Sequence, residues 1–215
     1  MTSRSDLPVA VIGAGPVGLA AAVHLLKQGL PVKLYEAGSN VASNLRDWGH
    51  VRVFTPWRYC VDQAAKRLLE AHGWQMPEPE AFPTADELVA RYLEPLANLP
   101  RLAPSIETGA RVVGISRWGA DKVVSKARET RPFMLVVETA DGTRRDSARA
   151  VIDASGTWRT PNPLGAGGIA AEGEAECADR IAYGIPDILG RDRQLYAGRT
   201  TLVAGSGHSA ANALL

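Results

Sequence analysis

Apolar runs of two lengths alternate at the start of the chain. Pro8–Ile12 is an uninterrupted apolar run of strand length, which predicts a buried parallel strand. Val17–Gly29 carries an apolar face of small residues and leucines at helical spacing, and Gly29 marks the end of that helix. Pro31–Tyr35 predicts a second strand. This order indicates a β-α-β unit and therefore an α/β fold built on a parallel sheet.

Next along the chain, the pattern predicts a loop and then a helical insertion at about residues 61–97. Asn40–Trp57 follows neither periodicity and is expected to be a loop. Asp62–His72 has the spacing of an amphipathic helix. Thr84 and Glu87 form a capping box, which starts a further helix that runs to about residue 96.

A β-meander is predicted after this insertion. Arg111–Trp118 has the composition of a strand, and Phe133–Thr139 forms a hairpin with the residues from Thr143 onward through the Asp141–Gly142 turn. The charged stretch Gly119–Arg131 between these strands is expected to be a solvated extension rather than a binding site.

The turn after the first strand is a glycine fingerprint of the GxGxxG type. Gly13 permits a tight turn, Gly15 lets backbone amides approach a pyrophosphate, and Gly18 lets the helix pack closely on its strand. Pro16 and Val17 begin the helix, whose N-terminal N–H groups attract an anion. The strand, turn and helix agree with one another, so we predict that this turn binds a dinucleotide.

Glu36 follows the second strand at the spacing where an acidic residue meets a ribose hydroxyl. Its negative charge would repel a 2′-phosphate. The first fingerprint is therefore expected to bind the adenosine of FAD or NAD rather than that of NADP.

A second glycine fingerprint spans Gly205–Ala210. Thr200–Ala204 predicts a strand and Ser209–Leu215 the start of a helix, while an ordinary glycine loop before a helix stays open as an alternative. Its candidate binding residues are Gly205, Gly207, His208, Ser209 and Ala210. No further strand follows, so we expect the 215 residues to be the N-terminal part of a longer protein, and NADH cannot be distinguished from NADPH.

Composition and charge narrow the class of protein. The chain is 46% hydrophobic and 22% charged with a net charge of +1, which gives no attraction to nucleic acid or to an anionic membrane. It has no apolar segment of spanning length, and a cytoplasmic location is expected. Cys60 and Cys177 are far apart, which suggests neither a disulfide framework nor a metal site.

The order of these segments resembles the flavoproteins that have two dinucleotide-binding domains. Gly13, Gly15, Gly18 and Glu36 match the FAD motif of that family, and Ala154, Ser155 and Gly156 stand where it has an ATG-like turn. The second fingerprint matches the start of its NAD(P)H motif. Arg111, Val112 and Val113 resemble the strand whose backbone meets the adenine of the flavin.

This resemblance implies a Rossmann-like FAD-binding domain over residues 1–160, a connecting segment over residues 161–198, and the truncated start of a second Rossmann-like NAD(P)-binding domain over residues 199–215. The implied cofactors are FAD together with NADPH or NADH.

Within that family, the chain is most similar to the flavin-containing monooxygenases. It lacks the CxxC and CxxxxC pairs of the disulfide-reducing members, and Tyr196–Thr200 leads into the second fingerprint as in the monooxygenases. The loop that contains Arg46 and Trp48 stands near their flavin-contacting GGxW stretch, although its glycines are absent. Arg46 and His50 are therefore candidates for hydrogen bonds to the flavin, and Trp48 and Trp57 are expected to flank its pocket.

The resemblance implies a monooxygenase in which NAD(P)H reduces the flavin and a C4a-hydroperoxide then oxygenates a small molecule. Its partners would be that substrate and oxygen, a homodimer is allowed, and no catalytic side chain is identified. Two alternatives stay open. The chain could belong to a disulfide-independent flavin reductase or electron-transfer dehydrogenase, or it could be a non-catalytic dinucleotide-binding fragment.

Overall fold

The structure is a computed structural model that describes residues 6–214. Its strands are β1 (Val9–Ile12), β2 (Val32–Tyr35), β3 (Ile106–Glu107), β4 (Arg111–Arg117), β5 (Phe133–Thr139), β6 (Gly142–Ala148) and β7 (Ala150–Asp153). Its α-helices are α1 (Pro16–Lys27), α2 (Ser43–Asp47), α3 (Trp57–Cys60), α4 (Gln63–Glu70), α5 (Ala85–Leu88), α6 (Glu94–Ala97), α7 (Arg193–Tyr196) and α8 (His208–Leu214).

A parallel four-stranded sheet with the order β3-β2-β1-β7 forms the centre of the fold. Strands β2 and β7 both pair with β1 in parallel, so Ile12 lies between Tyr35 and Asp153. In β1, Val9, Ala10 and Val11 are buried, as expected for a strand covered on both faces. The predicted β-α-β unit and the α/β class are confirmed.

A second, antiparallel sheet has the order β4-β5-β6 and packs beside the first. Its meander matches the predicted strands and the Asp141–Gly142 turn, where Gly142 has a φ of +119°. The register shifts by one residue between Val112 and Gly114. A small core, to which Ala10, Tyr35 and Leu135 belong, joins the two sheets.

The helical insertion lies between β2 and β3 and forms the larger core with α1. The predicted capping box is present, because Thr84 Oγ1 accepts from the Glu87 N–H and Glu87 Oε2 accepts from the Thr84 N–H. A π-helical segment (Val89–Leu93) follows. Pro95 has no N–H for the Arg91 carbonyl, which instead accepts the indole N–H of Trp74 at 2.6 Å.

Two predictions about local structure were wrong. The stretch Asn40–Trp57, expected to be a loop, contains the short helix α2 and the start of α3. No strand forms at Thr200–Ala204, because no neighbouring segment pairs with it, and the Leu202 side chain is 92% exposed. The helix predicted from Ser209 is observed as α8; its predicted last residue, Leu215, lies outside the described residues.

Among residues 6–214, no helix has both the length and the apolar character that crossing a membrane requires.

Candidate functional site

The glycines of the first fingerprint occupy positions where the backbone comes very close to other atoms. Gly13 has a φ of +97°, and a Cβ there would lie 2.6 Å from the Ala154 carbonyl oxygen. A Cβ on Gly18 would lie 1.8 Å from the Gly13 carbonyl oxygen. These contacts bring β7 and α1 against the turn, as the roles predicted for these two glycines require.

Gly15 differs from Gly13 and Gly18 because a Cβ added to it would point into open space, with no atom within 4 Å. It precedes Pro16 and caps α1 without a side-chain hydrogen bond, and the first turn of the helix holds no acidic residue. The helix N-terminus therefore keeps free N–H groups beside an open cradle. This arrangement fits a pyrophosphate.

Glu36 lies at the carboxyl end of β2, which the sheet fixes next to the fingerprint. Its carboxylate accepts the Ala14 N–H through Oε2 at 2.8 Å and the Gly38 N–H through Oε1 at 2.9 Å. The side chain is buried and yet lines the cavity described below. A carboxylate has about four acceptor positions, so Glu36 retains acceptors for ribose hydroxyls.

The turn after β7 contains Ala154, Ser155 and Gly156. The Asp153 carboxylate accepts both the hydroxyl and the backbone N–H of Ser155, at 2.6 and 3.0 Å, and these hydrogen bonds lower the pKa of Asp153. Gly156 has a φ of +70°. The turn is thereby fixed at the strand end, opposite Gly13.

A cavity of about 1050 Å³ connects these elements, a volume at the upper end of ligand pockets and sufficient for a large ligand. The predicted site residues that line it are Gly13, Gly15, Pro16, Val17, Glu36, Ala154, Ser155, Gly156, His208 and Ser209. Both fingerprints therefore contribute to one cavity.

Other predicted site residues lie elsewhere. The Arg46 guanidinium forms an ion pair with Glu94 at 2.6 Å and does not line the cavity. His50 is exposed and also outside the lining. Trp57 is buried in the core, whereas Trp48 lines the cavity.

Four more predicted residues do not line the cavity, and strand β4 contributes only some of its residues to it. Gly18 packs under the turn and does not line the cavity. In the second fingerprint, Gly205, Gly207 and Ala210 do not line it either. In β4 the lining residues are Arg111 and Val112, and Val113 is not among them. Val113 lies where the register of β4 shifts, between Val112 and Gly114, and its side chain is 49% exposed.

Several lining residues were missed by the sequence reasoning. Phe54 stacks on the imidazole of His208, with ring centroids 3.8 Å apart. Trp158 lies 6.2 Å from Trp48, centroid to centroid, and donates its indole N–H to Asp47 at 2.9 Å. Trp158 lies two residues after Gly156, and this position close to the predicted turn was the sequence signal that could have identified it.

A charged network lies near Glu36, on the side of the second sheet. Arg144 on β6 binds Asp146 at 3.0 Å and Glu107 at 2.8 Å, and Lys33 also binds Glu107. The hydrogen bond from Arg144 lowers the pKa of Glu107 despite partial burial. Burial and the hydrogen bond to Asp146 raise the pKa of the Tyr35 hydroxyl, which keeps it protonated. The network joins β2, β3 and β6 next to the strand end that carries Glu36.

Known proteins resemble parts of this chain. Residues 8–92 match the family model described as FAD dependent oxidoreductase. An indole-3-pyruvate monooxygenase, YUCCA1, of Oryza sativa subsp. japonica is 30% identical over half of this chain and 26% of its own length. A thiamine thiazole synthase of Methanothrix thermoacetophila is 31% identical over 52% of this chain and 38% of its own length. The chain therefore spans between a quarter and two fifths of these relatives.

Solved structures share the fold. A bacillithiol disulfide reductase of Bacillus cereus superposes with a TM-score of 0.55 and 22% identity, over 73% of this chain and 41% of its own. A steroid monooxygenase bound to NADP superposes with a TM-score of 0.51 and 28% identity, over 70% and 26%. The segment that matches the family model, residues 8–92, contains the first fingerprint and Glu36. Residues 8–92 are thus similar in sequence to an FAD-dependent oxidoreductase domain.

Proposed function

We propose that this chain binds FAD in the 1050 Å³ cavity and belongs to an FAD- and NAD(P)H-dependent monooxygenase that acts on a small molecule. The observation that carries the proposal is that residues of both glycine fingerprints line a single cavity. Two dinucleotides that approach one cavity have their redox-active rings within reach of each other, which electron transfer between them requires.

Each part of the chain has a proposed role toward FAD. The open cradle at Gly15 and the free N–H groups of α1 would hold the pyrophosphate, and Glu36 would accept the ribose hydroxyls. The backbone of Val112 is proposed to meet the adenine. When bound, FAD supplies the transfer of electrons between a nicotinamide and oxygen or another acceptor.

The protein's other contribution is to enclose the isoalloxazine. With the adenosine at Glu36 and the pyrophosphate at Gly15, the aromatic lining residues Trp48, Phe54 and Trp158 are left for the ring system. Trp48 and Trp158 are half-buried and would shield the ring from water on their side, which protects reactive species from hydrolysis and from proton exchange. This enclosure supports oxygen chemistry, and it is why the monooxygenase is preferred over a simple electron-transfer dehydrogenase.

The second fingerprint is proposed to begin the NAD(P)H site. His208 and Ser209 line the cavity, but α8 has seven residues and no paired strand precedes it. Because the chain spans between a quarter and two fifths of the relatives it matches, the activity is proposed for the whole protein. A small-molecule substrate and oxygen are the proposed partners, and a homodimer is compatible with the proposal.

The test measures binding first and chemistry second. FAD is titrated into the purified chain, and bound flavin is detected by its visible absorption and fluorescence. NADPH or NADH is then added without oxygen, followed by oxygen and a panel of amines, thioethers and ketones. We expect flavin binding, and in the full-length protein flavin reduction with an oxygenated product.

Two outcomes contradict specific parts of the proposal. A chain that does not retain flavin refutes the assigned FAD site. Reduction that needs an added electron acceptor and consumes little oxygen would favour the flavin reductase or electron-transfer dehydrogenase.

A further inference from the structure

Three separate segments of the chain meet at Asp47, the last residue of α2. Asp47 Oδ2 accepts the indole N–H of Trp158 at 2.9 Å and binds Arg159 Nη2 at 2.9 Å. The Asp47 carbonyl accepts from Arg191 Nη2 at 3.5 Å. Trp158 and Arg159, which lie just beyond the β7 turn, are thereby held to the end of a helix that lies 111 residues before Trp158.

The hydrogen bond to Trp158 determines the position of an aromatic wall of the cavity. Trp48 and Trp158 both line the cavity, and their planes are inclined at 47°. Gly184, which also lines the cavity, lies so close to Trp158 that a Cβ there would be 2.7 Å from the indole ring. The ring is therefore confined on one side by backbone and oriented at its N–H by Asp47.

The ion pair between Asp47 and Arg159 contributes less to the orientation of Trp158 than the hydrogen bond from the indole N–H does. The Arg159 and Asp47 side chains are 66% and 40% exposed, so solvent screens their attraction. The indole N–H has a fixed direction in the ring plane, and its bond to a carboxylate fixes the ring orientation. Orientation of Trp158 thus depends on an acceptor at position 47 rather than on a charge there.

We propose that Asp47 is a positioning residue that orients Trp158 against the isoalloxazine of FAD. This inference rests on the proposed FAD site. Asp47 itself does not line the cavity, and it acts through Trp158.

The first test uses the chain without cofactor. Two indoles at this distance give a coupled signal in far-ultraviolet circular dichroism, and Trp48→Phe identifies that signal. We expect Asp47→Ala to abolish it and Asp47→Asn, which keeps an acceptor oxygen, to retain it. Arg159→Ala removes the ion pair to Asp47 and the Arg159 hydrogen bond to Asn44 but leaves the carboxylate that accepts the indole N–H, so it should also retain the signal. Asp179→Ala is the matched control, because the exposed Asp179 forms an ion pair with its exposed neighbour Arg180 at 3.8 Å and with no other residue among those described.

The second test adds FAD. A tryptophan held against a flavin quenches its fluorescence, so flavin bound to Asp47→Ala should be brighter than in the wild type and in Asp47→Asn. The dissociation constant for FAD should change less than about threefold, because the fingerprint and Glu36 provide the binding contacts. If the wild type binds no FAD, the proposed function fails, while the cofactor-free signal still tests the role of Asp47.

Several results would overturn the proposal. An unchanged indole signal in Asp47→Ala would show that Asp47 does not orient Trp158, and a signal lost in Asp47→Asn would show that the hydrogen bond is not the cause. If Asp47→Ala does not fold, nuclear magnetic resonance of the wild type decides. An indole proton of Trp158 that exchanges freely with solvent overturns the proposal, and a protected one supports it.

Discussion

The two glycine fingerprints have nearly the same sequence pattern but very different surroundings. Gly13–Gly18 follows β1, which is paired on both sides and buried. Gly205–Ala210 follows a segment that pairs with nothing among residues 6–214, and its only ring contact is the stack between His208 and Phe54. A glycine fingerprint therefore specifies a turn, whereas a binding site also needs the sheet that holds the turn rigid.

The regions around the two fingerprints also differ in how they are packed. Both core clusters draw their residues from positions 10–154, with none from the described residues beyond Ala154. The later region is held by polar contacts instead, and Glu174 is its most buried carboxylate. Glu174 accepts from the N–H groups of Leu164 and Ala171 and from the Tyr183 hydroxyl.

The largest effect is expected from Gly18→Ala, which gives the first fingerprint the alanine that the second has at Ala210. The new Cβ would lie 1.8 Å from the Gly13 carbonyl oxygen, so α1 must move away from its strand. We expect the free energy of unfolding to fall by about 2–4 kcal/mol, measured by urea denaturation.

Gly207→Ala is the matched control, since nothing lies within 4 Å of its missing Cβ. If the free energy of unfolding fell as much in Gly207→Ala as in Gly18→Ala, the two fingerprints would not differ in how tightly their surroundings pack.

Gly15→Ala should separate binding from folding. Its Cβ meets no protein atom, so the free energy of unfolding should change by less than about 1 kcal/mol, the cost of a poorer helix cap. The methyl group would nevertheless occupy the cradle proposed for the pyrophosphate. We expect FAD affinity to fall about tenfold or more, or about 1.4 kcal/mol, in a fluorescence titration.

Wild-type FAD affinity in Gly15→Ala would argue against this cradle. The same titration of Gly207→Ala should give the wild-type value, because Gly207 does not line the cavity.

The smallest effect is a local one at Glu174. Hydrogen bonds from Tyr183, Leu164 and Ala171 lower its pKa below the usual value of 4.5, so its contribution to stability is complete at neutral pH and is lost as the pH falls through that lower value. Amide hydrogen exchange of residues 163–185 should therefore accelerate in acid. Glu174→Gln should exchange faster already at neutral pH and lose this acid dependence.

Glu172→Gln, at an exposed neighbouring carboxyl group, should behave as the wild type. Identical exchange profiles for Glu174→Gln and the wild type would contradict the assigned role of Glu174.

Local patterns of the sequence determined the β-α-β unit, the meander and the capping box. Their signals lie within a few residues of one another: an apolar run, a glycine turn, or Thr84 three residues before Glu87. The positions of Gly13, Gly15 and Glu36 followed from the same local order. The cavity includes all three, as that order predicts.

Only the tertiary structure decided which side chains reach the cavity. Arg46 pairs with Glu94, 48 residues away, and Trp158 is held by Asp47 across 111 residues. Thr200–Ala204 has strand composition but no partner strand. Strand pairing, ion pairs and ring contacts depend on where distant segments meet, and no periodicity within one segment records that.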